Sequence, residues 1–499
     1  MLKQCRYFLR SMVKKKRDAC DSNTAPLLSA ESSPGTPTPS AEEPQPIQII
    51  RLPDSFDYDH LVERAAVEAE DEGDILEDLD PGIHSLSLDD GNDNLAALAP
   101  SEHATVNSPS DSIPSSSTTS YHHRKRIEIR KGKQKAEKDS DDIDYTPSAR
   151  TVTEAIRKAK IRRLELDAAS FNAAKGAHTA KPGQRDTKDT LTEKAREWTL
   201  QELVDLGYLH IPWDGVNPLL VVDCKGRIIA FLAGRPNRQD FVDDMMGLFD
   251  AMMLESKRMG WDGVLNALHK RGWFPAFNHG ITMGMGTSTP VALRNDPEVE
   301  GVLSRLLSLP ALKRLNGYHN GIVKTWEPRL HHAYRSTVET MHQRLPKLPR
   351  NFRNSIFTAS AFNFGGKVRT IEHRDHMNWP FGLCVITAMG RFDATRSGHL
   401  VLKEFKLVFD FPHASTAAIP SACCTHFNTA IAPGDQRVSF TQYTAGAIFR
   451  WVENGCRTEA SIKLADEQEW RAIQQRKKTA VAERLKLYST VDEIIALVD

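Results

Sequence analysis

The sequence predicts an α+β chain in which a long irregular amino-terminal region precedes helices and then a strand-rich core that closes as a sandwich or barrel. Three observations carry this. Residues 1–190 are rich in Ser, Pro and charge and poor in apolar runs. Between residues 238 and 345 apolar residues recur at helical spacing. From Ser355 the period changes to that of strands, with Gly or Pro between short β-branched and aromatic runs.

Within the first region, Ser22 to Pro46 and Ser101 to Ser120 are Ser/Thr/Pro tracts, and Asp54 to Asp93 is acidic. Such segments bury too little apolar surface to offset chain entropy, so 1–190 is expected to be largely disordered. Two basic runs, Lys14–Arg17 and His122–Lys135, suit a nuclear import signal or a loose phosphate contact, and equally a solvated charge run. Thr151 to Ala174 reads as an isolated basic helix. The ordered domain is expected over 195–465, with core strands at about 355–459 and helices over 466–499.

The 499 residues carry 65 Lys plus Arg and 65 Asp plus Glu, so the chain as a whole is no generic polyanion binder. Seven scattered cysteines without a CxxC pair do not read as a disulfide framework or a zinc site, and a reducing compartment is expected. No apolar run approaches the roughly eighteen residues that span a bilayer. The apolar residues at the start precede the basic cluster, the reverse of a secretory signal, so a soluble, non-secreted protein with no membrane partner is expected.

Leu219 to Val222 and Ile228 to Leu232 read as a β-hairpin turning at Lys225-Gly226, followed by a helix over 238–259. The glycine-rich stretch Asn278 to Pro290 lacks the phosphate-loop pattern and reads as a loop. Helices are expected over 297–315 and 328–345. The segments IFTASAFNF, GLCVITAMG, HLVLKEFKLVFDF and RVSFTQYTAGAIFRW supply the strands. Lys257, Arg258, Lys270 and Arg271 form a possible phosphate-binding patch.

The chemistry starts at His373-Arg374-Asp375. On a strand, residues i and i+2 share a face, so one imidazole and one carboxylate reach one ion. In a chain with 18 histidines and 65 acidic residues this is weak evidence alone. His426 follows in PSACCTHFN and Arg437 in RVSFTQY. That order fits two histidines and one carboxylate on Fe(II), which leaves adjacent positions for an oxoacid and O2. Arg437 offers a planar, permanently charged fork to the far carboxylate of 2-oxoglutarate, and Ser439 lies on the same strand face. Each residue has an ordinary alternative. His373 could be a surface histidine, Asp375 a turn cap, His426 a satisfied core histidine, and Arg437 the partner of Asp435. His376, His399 and His413 are competing ligands; His376 is disfavoured because an i+3 position on a strand faces away from His373, and His399 could instead line the pocket.

The run from His373 to Trp451, with DCKGRIIAFLAGRP and NFRNSIFTASAFNFG upstream, resembles the TET/JBP-like dioxygenases of mushroom-forming (basidiomycete) fungi. The resemblance covers about residues 217–457. It implies a double-stranded β-helix (jelly-roll, cupin-like) with flanking helices. It implies Fe(II), 2-oxoglutarate and O2, with His373, Asp375 and His426 on the metal and Arg437 on the oxoacid. It also implies oxidation of 5-methylcytosine in DNA to 5-hydroxymethylcytosine, and hence a nuclear location. Asn378 and Trp379, and His399, are then candidates for contact with a flipped base. The disordered region suits a tether to chromatin partners. The chain departs from the family pattern at Ser397-Gly398-His399-Leu400, at His413-Ala414 and in the less glycine-rich GMGTSTP. Two other readings stay open: the same core acting on a protein or other substrate, and a decayed copy kept as a DNA-binding or scaffold module.

Overall fold

Strand β13 (Gln436–Tyr443) explains the architecture, because its residues alternate between two environments. Arg437, Ser439, Thr441 and Tyr443 line a pocket. Val438, Phe440 and Gln442 point the other way, into a helical layer. The computed structural model describes residues 148–181, 196–261, 271–284 and 286–497, all within one compact unit. The Ser/Pro-rich tracts, the acidic segment and both basic runs of the amino-terminal region lie outside the described residues.

In chain order the first elements are helix α1 (Ala149–Lys158), strand β1 (Lys160–Arg163), helix α2 (Leu200–Asp205) and strands β2 (Leu209–Ile211), β3 (Leu219–Val222) and β4 (Ile228–Gly234). Helix α3 (Gln239–Arg258) and strands β5 (Ala276–Thr282) and β6 (Val291–Ala292) follow, then helices α4 (Pro297–Ser308), α5 (Pro310–Trp326) and α6 (Pro328–Arg344). The core continues with β7 (Ala359–Asn363), β8 (Cys384–Arg391), β9 (Leu400–Leu402), β10 (Leu407–Phe409), β11 (Thr416–Ile419), β12 (His426–Asn428) and β13. Helices α7 (Gly446–Glu453), α8 (Glu459–Ala465), α9 (Glu467–Lys477), α10 (Ala480–Leu485) and α11 (Val491–Ile495) close the chain.

These strands form a large sheet in the order β1-β3-β4-β11-β8-β13-β7-β5-β6 and a small one in the order β12-β9-β10-β2. The two sheets with flanking helices fit a jelly-roll core. The pocket takes lining residues from both: β7, β8 and β13 from the large sheet, β9 and β12 from the small. The far face of the large sheet is covered by helices. There His319 of α5, fully buried, bonds Gln442 Oε1 (2.8 Å) and Thr387 Oγ1 (2.7 Å) and stacks near Phe440. Burial pushes its pKa down to about 3, so it packs as a neutral ring.

Several expectations need correction. Residues 148–181, expected to be disordered, belong to the folded domain. β1 pairs in parallel with β3, Ile161 opposite Leu220, and Ile156, Leu164, Ala168 and Phe171 join the main core. The basic "helix" over 151–174 is thus a short helix followed by an edge strand. Backbone pairing holds KIRR in place, which side-chain periodicity does not report. The glycine-rich stretch opens as strand β5, paired with β7. Gly280 has φ +121°, and a Cβ there would strike the Thr358 carbonyl. Pro310 splits the helix expected over 297–315 into α4 and α5, because proline closes one helix and starts the next at its first turn.

The segment GAIFRW is helix α7, so the core strands end at Tyr443 rather than near 459. A short apolar run fits a buried helix and a buried strand equally. The local determinant is Gly446, the first residue of α7. Its α-carbon faces the His178 carbonyl and the Trp379 backbone with no room for a side chain. Phe449 then stacks on Trp379 at 3.9 Å. Gly446→Ala is therefore expected to cost about 1–3 kcal/mol through backbone displacement. A thermal melt, with limited proteolysis around residues 170–181, checks this. An unchanged melt would contradict the close approach.

Candidate metal and oxoacid pocket

A hydrogen-bonded backbone pair brings the two histidines together. His373 N–H donates to His426 O (3.3 Å) and His426 N–H to His373 O (3.0 Å). An antiparallel pair that exchanges both bonds sets its side chains next to each other. The imidazole centroids are 4.2 Å apart. The expectation that His373 and Asp375 share a strand face is not met: His373 forms an isolated bridge and Asp375 lies beyond it in a loop. The Asp375 backbone is instead anchored by its N–H to Ser421 O (2.9 Å).

The result is nevertheless convergent. Asp375 Oδ1 lies 3.9 Å from His373 Nε2, and Oδ2 lies 3.9 Å from His426 Nε2. The three donor atoms fall within 4.8 Å of one another, so one ion can meet all three. The tautomers follow from the partners. His373 Nδ1 is 2.8 Å from Ile371 O, and His426 Nδ1 is 3.0 Å from Cys424 O. A carbonyl only accepts, so each Nδ1 carries the hydrogen and each Nε2 offers its lone pair to the centre. Burial, then the charge of His426, pushes the His373 pKa down to about 3, which keeps its ring neutral as a ligand must be.

Arg271, which the sequence placed in a surface phosphate patch, donates to Asp375 Oδ1 at 2.6 Å. Burial opposes ionisation of Asp375, but this guanidinium outweighs it and holds the carboxyl well below the usual range. Attraction to Asp375 likewise raises the Arg271 pKa. Of that expected patch, Arg258 pairs with Glu255 and Arg271 with Asp375, and Lys270 lies outside the described residues.

Arg437 is 1% exposed and donates to the Val368 carbonyl at 3.0 Å. Its Nε is buried without a partner, and no carboxylate pairs with it among the described residues. Burial alone pushes its pKa down to about 10, so the group remains a cation at neutral pH. The alternative partner Asp435 is taken by Arg396 at 3.1 Å. Ser439 Oγ accepts from Asn363 Nδ2 at 2.9 Å, which leaves its hydroxyl hydrogen to donate. The empty space of the pocket is about 580 Å³, open solvent at its mouth included. A buried cation in the same pocket as three convergent ligand atoms matches the donor set and anion anchor that Fe(II) and 2-oxoglutarate require.

The remaining candidates lie elsewhere. Trp379 is buried between Phe449 and Tyr334, in the core and off the pocket wall. Asn378 is buried, and its Nδ2 donates to Ser421 Oγ (3.1 Å), bracing the loop that holds Asp375. His399 sits one residue before Leu400. Leu400 lines the pocket, so strand parity turns His399 to the opposite face. His413 accepts from Gly390 N–H at Nδ1 and does not line the pocket. Sequence reasoning missed Arg271, Thr370, Asn428 and Tyr443 on the pocket wall. Only the alternation of β12 and β13 signalled Asn428 and Tyr443.

No protein-family model and no curated protein matches the chain. Among solved structures, one described as NgTET1 in complex with 5mC DNA is similar at 12% identity and a TM-score of 0.35, covering 57% of this chain and 100% of that one. Another, described as an oxidoreductase of the 2OG-Fe(II) oxygenase family from Burkholderia pseudomallei, is 12% identical with a TM-score of 0.23, covering 53% and 94%.

Arg271 orients the Asp375 carboxylate from outside the ligand set. Removing such a partner typically weakens a metal site about 10–100-fold. Arg271→Ala is expected to raise the Kd for Mn(II), read by equilibrium dialysis, within that range. Tighter binding in the variant would show that Arg271 competes with the ion instead.

Proposed function

We propose that the chain is an Fe(II)- and 2-oxoglutarate-dependent dioxygenase that oxidises the methyl group of 5-methylcytosine in DNA. The observation that carries the enzyme class is the buried, carboxylate-free Arg437 in the same pocket as the free Nε2 atoms of His373 and His426 and the Asp375 carboxylate. The sequence resemblance alone carries the substrate.

In this reading His373, Asp375 and His426 hold the iron. Two neutral rings and one carboxylate leave it a net positive charge that suits a dianionic oxoacid. Arg437 takes the far carboxylate through its planar fork, and Ser439 adds a hydrogen bond. Iron(II) with 2-oxoglutarate and O2 supplies oxidation of an unactivated C–H bond, coupled to release of succinate and CO2. The apolar residues Ala361, Ile386, Leu400 and Phe411 limit water in the pocket. A base inside a duplex cannot reach such a pocket and must be flipped out of the stack. Its stacking partner is not Trp379, which the core consumes. The reading further places the protein in the nucleus, with the segments before residue 148 as a tether to chromatin partners. Both rest on composition and resemblance.

The test incubates the full chain with Fe(II), 2-oxoglutarate, ascorbate and duplex DNA carrying 5-methylcytosine, followed by mass spectrometry of the nucleosides. 5-Hydroxymethylcytosine is expected, and its loss in His373→Ala. Succinate without an oxidised base would keep the dioxygenase and sink the DNA substrate. Neither product would sink both and favour a decayed copy. In the same assay Arg437→Gln is expected to weaken 2-oxoglutarate binding about 30-fold or more while the metal stays bound, since truncating one side of a buried charge pair costs about 2 kcal/mol or more.

A further inference from the structure

The outer face of the small sheet, turned away from the pocket, carries a second convergent group. His210 sits at the centre of β2, between Leu209 and Ile211, which face the main core. His399 immediately precedes β9 and Asp410 immediately follows β10. In the β9–β10 hairpin Leu400 is opposite Phe409, so the next pair outward is His399 and Asp410. Strand parity gives these two the same face as Val401 and Val408, which form a separate apolar cluster with Leu203, Tyr208 and Phe427. β2 runs parallel to β10 with His210 opposite Val408, so it completes the group from the sheet edge.

The atoms converge. His210 Nε2 lies 2.7 Å and His399 Nε2 3.4 Å from Asp410 Oδ1. All three donor atoms fall within 4.8 Å of one another. His399 is fully buried, and its Nε2 makes no hydrogen bond. The Thr429 hydroxyl oxygen takes the His399 backbone N–H (2.9 Å) and lies 2.7 Å from Nδ1. If Nδ1–H donates to that oxygen, Nε2 turns its lone pair towards Asp410 as a metal ligand does; if the Thr429 hydroxyl donates to Nδ1 instead, Nε2–H faces Asp410. A buried polar atom without a partner is costly, and a bound ion removes the cost.

From this geometry we propose that His210, His399 and Asp410 form a second divalent-cation site, separate from the pocket, of the class that zinc occupies. Two imidazoles and one carboxylate are borderline donors that favour zinc over calcium or magnesium. A tetrahedral zinc with bonds of about 2.0 Å holds its ligand atoms about 3.3 Å apart. The 3.4 Å separation already fits, and the 2.7 Å hydrogen bond opens by a small side-chain rotation. The hydrogen now on His210 Nε2 then moves to Nδ1 or to solvent. His210 is partly exposed, which gives the ion an entry path and leaves a fourth position for water. The ion clamps edge strand β2 to the β9–β10 hairpin. The alternative is a hydrogen-bonded network in which His210 merely pairs with Asp410.

The test uses the full chain, stripped with chelator and dialysed against Zn(II), with bound metal measured by mass spectrometry. A His373→Ala/Asp375→Ala background disables the pocket, so the two sites are read independently. One equivalent of zinc is expected in that background, falling to none when Asp410→Asn is added. Zinc is also expected to raise the melting temperature of the background by at least about 2 °C. His210→Gln, at the partly exposed edge, repeats the test should Asp410→Asn fail to fold. No zinc in the background, or an equivalent that survives both Asp410→Asn and His210→Gln, would overturn the proposal.

Discussion

The two hydrogen bonds exchanged between His373 and His426 set the spacing on which the pocket depends. They tie the loop that carries Asp375 to a strand of the small sheet, and they fix two imidazoles side by side before any ion arrives. Everything else in the site is arranged around that pair. Carbonyls of Ile371 and Cys424 fix the tautomers, and Arg271 and Ser421 hold the carboxylate from its side chain and its backbone. A site built this way is organised by main-chain geometry, which substitutions on the surface do not easily disturb.

Charge follows the same division of labour. At one end, Asp375 is compensated by Arg271, so the ligand set does not carry a bare carboxylate. At the other, Arg437 is buried against Phe392 and Phe411, and among the described residues its hydrogen-bond partner is the Val368 carbonyl. An uncompensated interior cation is tolerated where a ligand completes it. The pocket thus asks for a metal at one end and an anion at the other, held together by β13, whose inward residues are polar and whose outward residues pack on helices. The second cluster obeys the same parity rule on the opposite face of β9 and β10, which is why one short hairpin serves two separate groups.

Much of this was legible in the sequence, because strand period and residue type suffice to place Arg437 and Ser439 on one face and to order His373, Asp375 and His426. The route to the triad was not. His373 and Asp375 converge through a bridge and a loop, and only tertiary pairing tells that apart from a strand. Trp379 and Asn378 looked like substrate residues because they follow the metal motif, yet the packing of α7 consumes the first and the Ser421 hydroxyl the second. The edge strand KIRR was hidden because its stabilisation is backbone pairing with β3, and α7 was hidden because GAIFRW is apolar all along. Arg271 carried no signal at all, since a basic residue between loops reads as surface until Asp375 is seen beside it.

The central claim is that one pocket holds both an ion and an oxoacid. The most direct measurement is an anaerobic crystal structure of the full chain or of residues 148–499 with Fe(II) and 2-oxoglutarate, with iron located by anomalous scattering. The account predicts iron bonded to His373 Nε2, His426 Nε2 and the Asp375 carboxylate, with the distal oxoacid carboxylate on Arg437. Iron found away from those three side chains, or an oxoacid that leaves Arg437 unpaired, would contradict it.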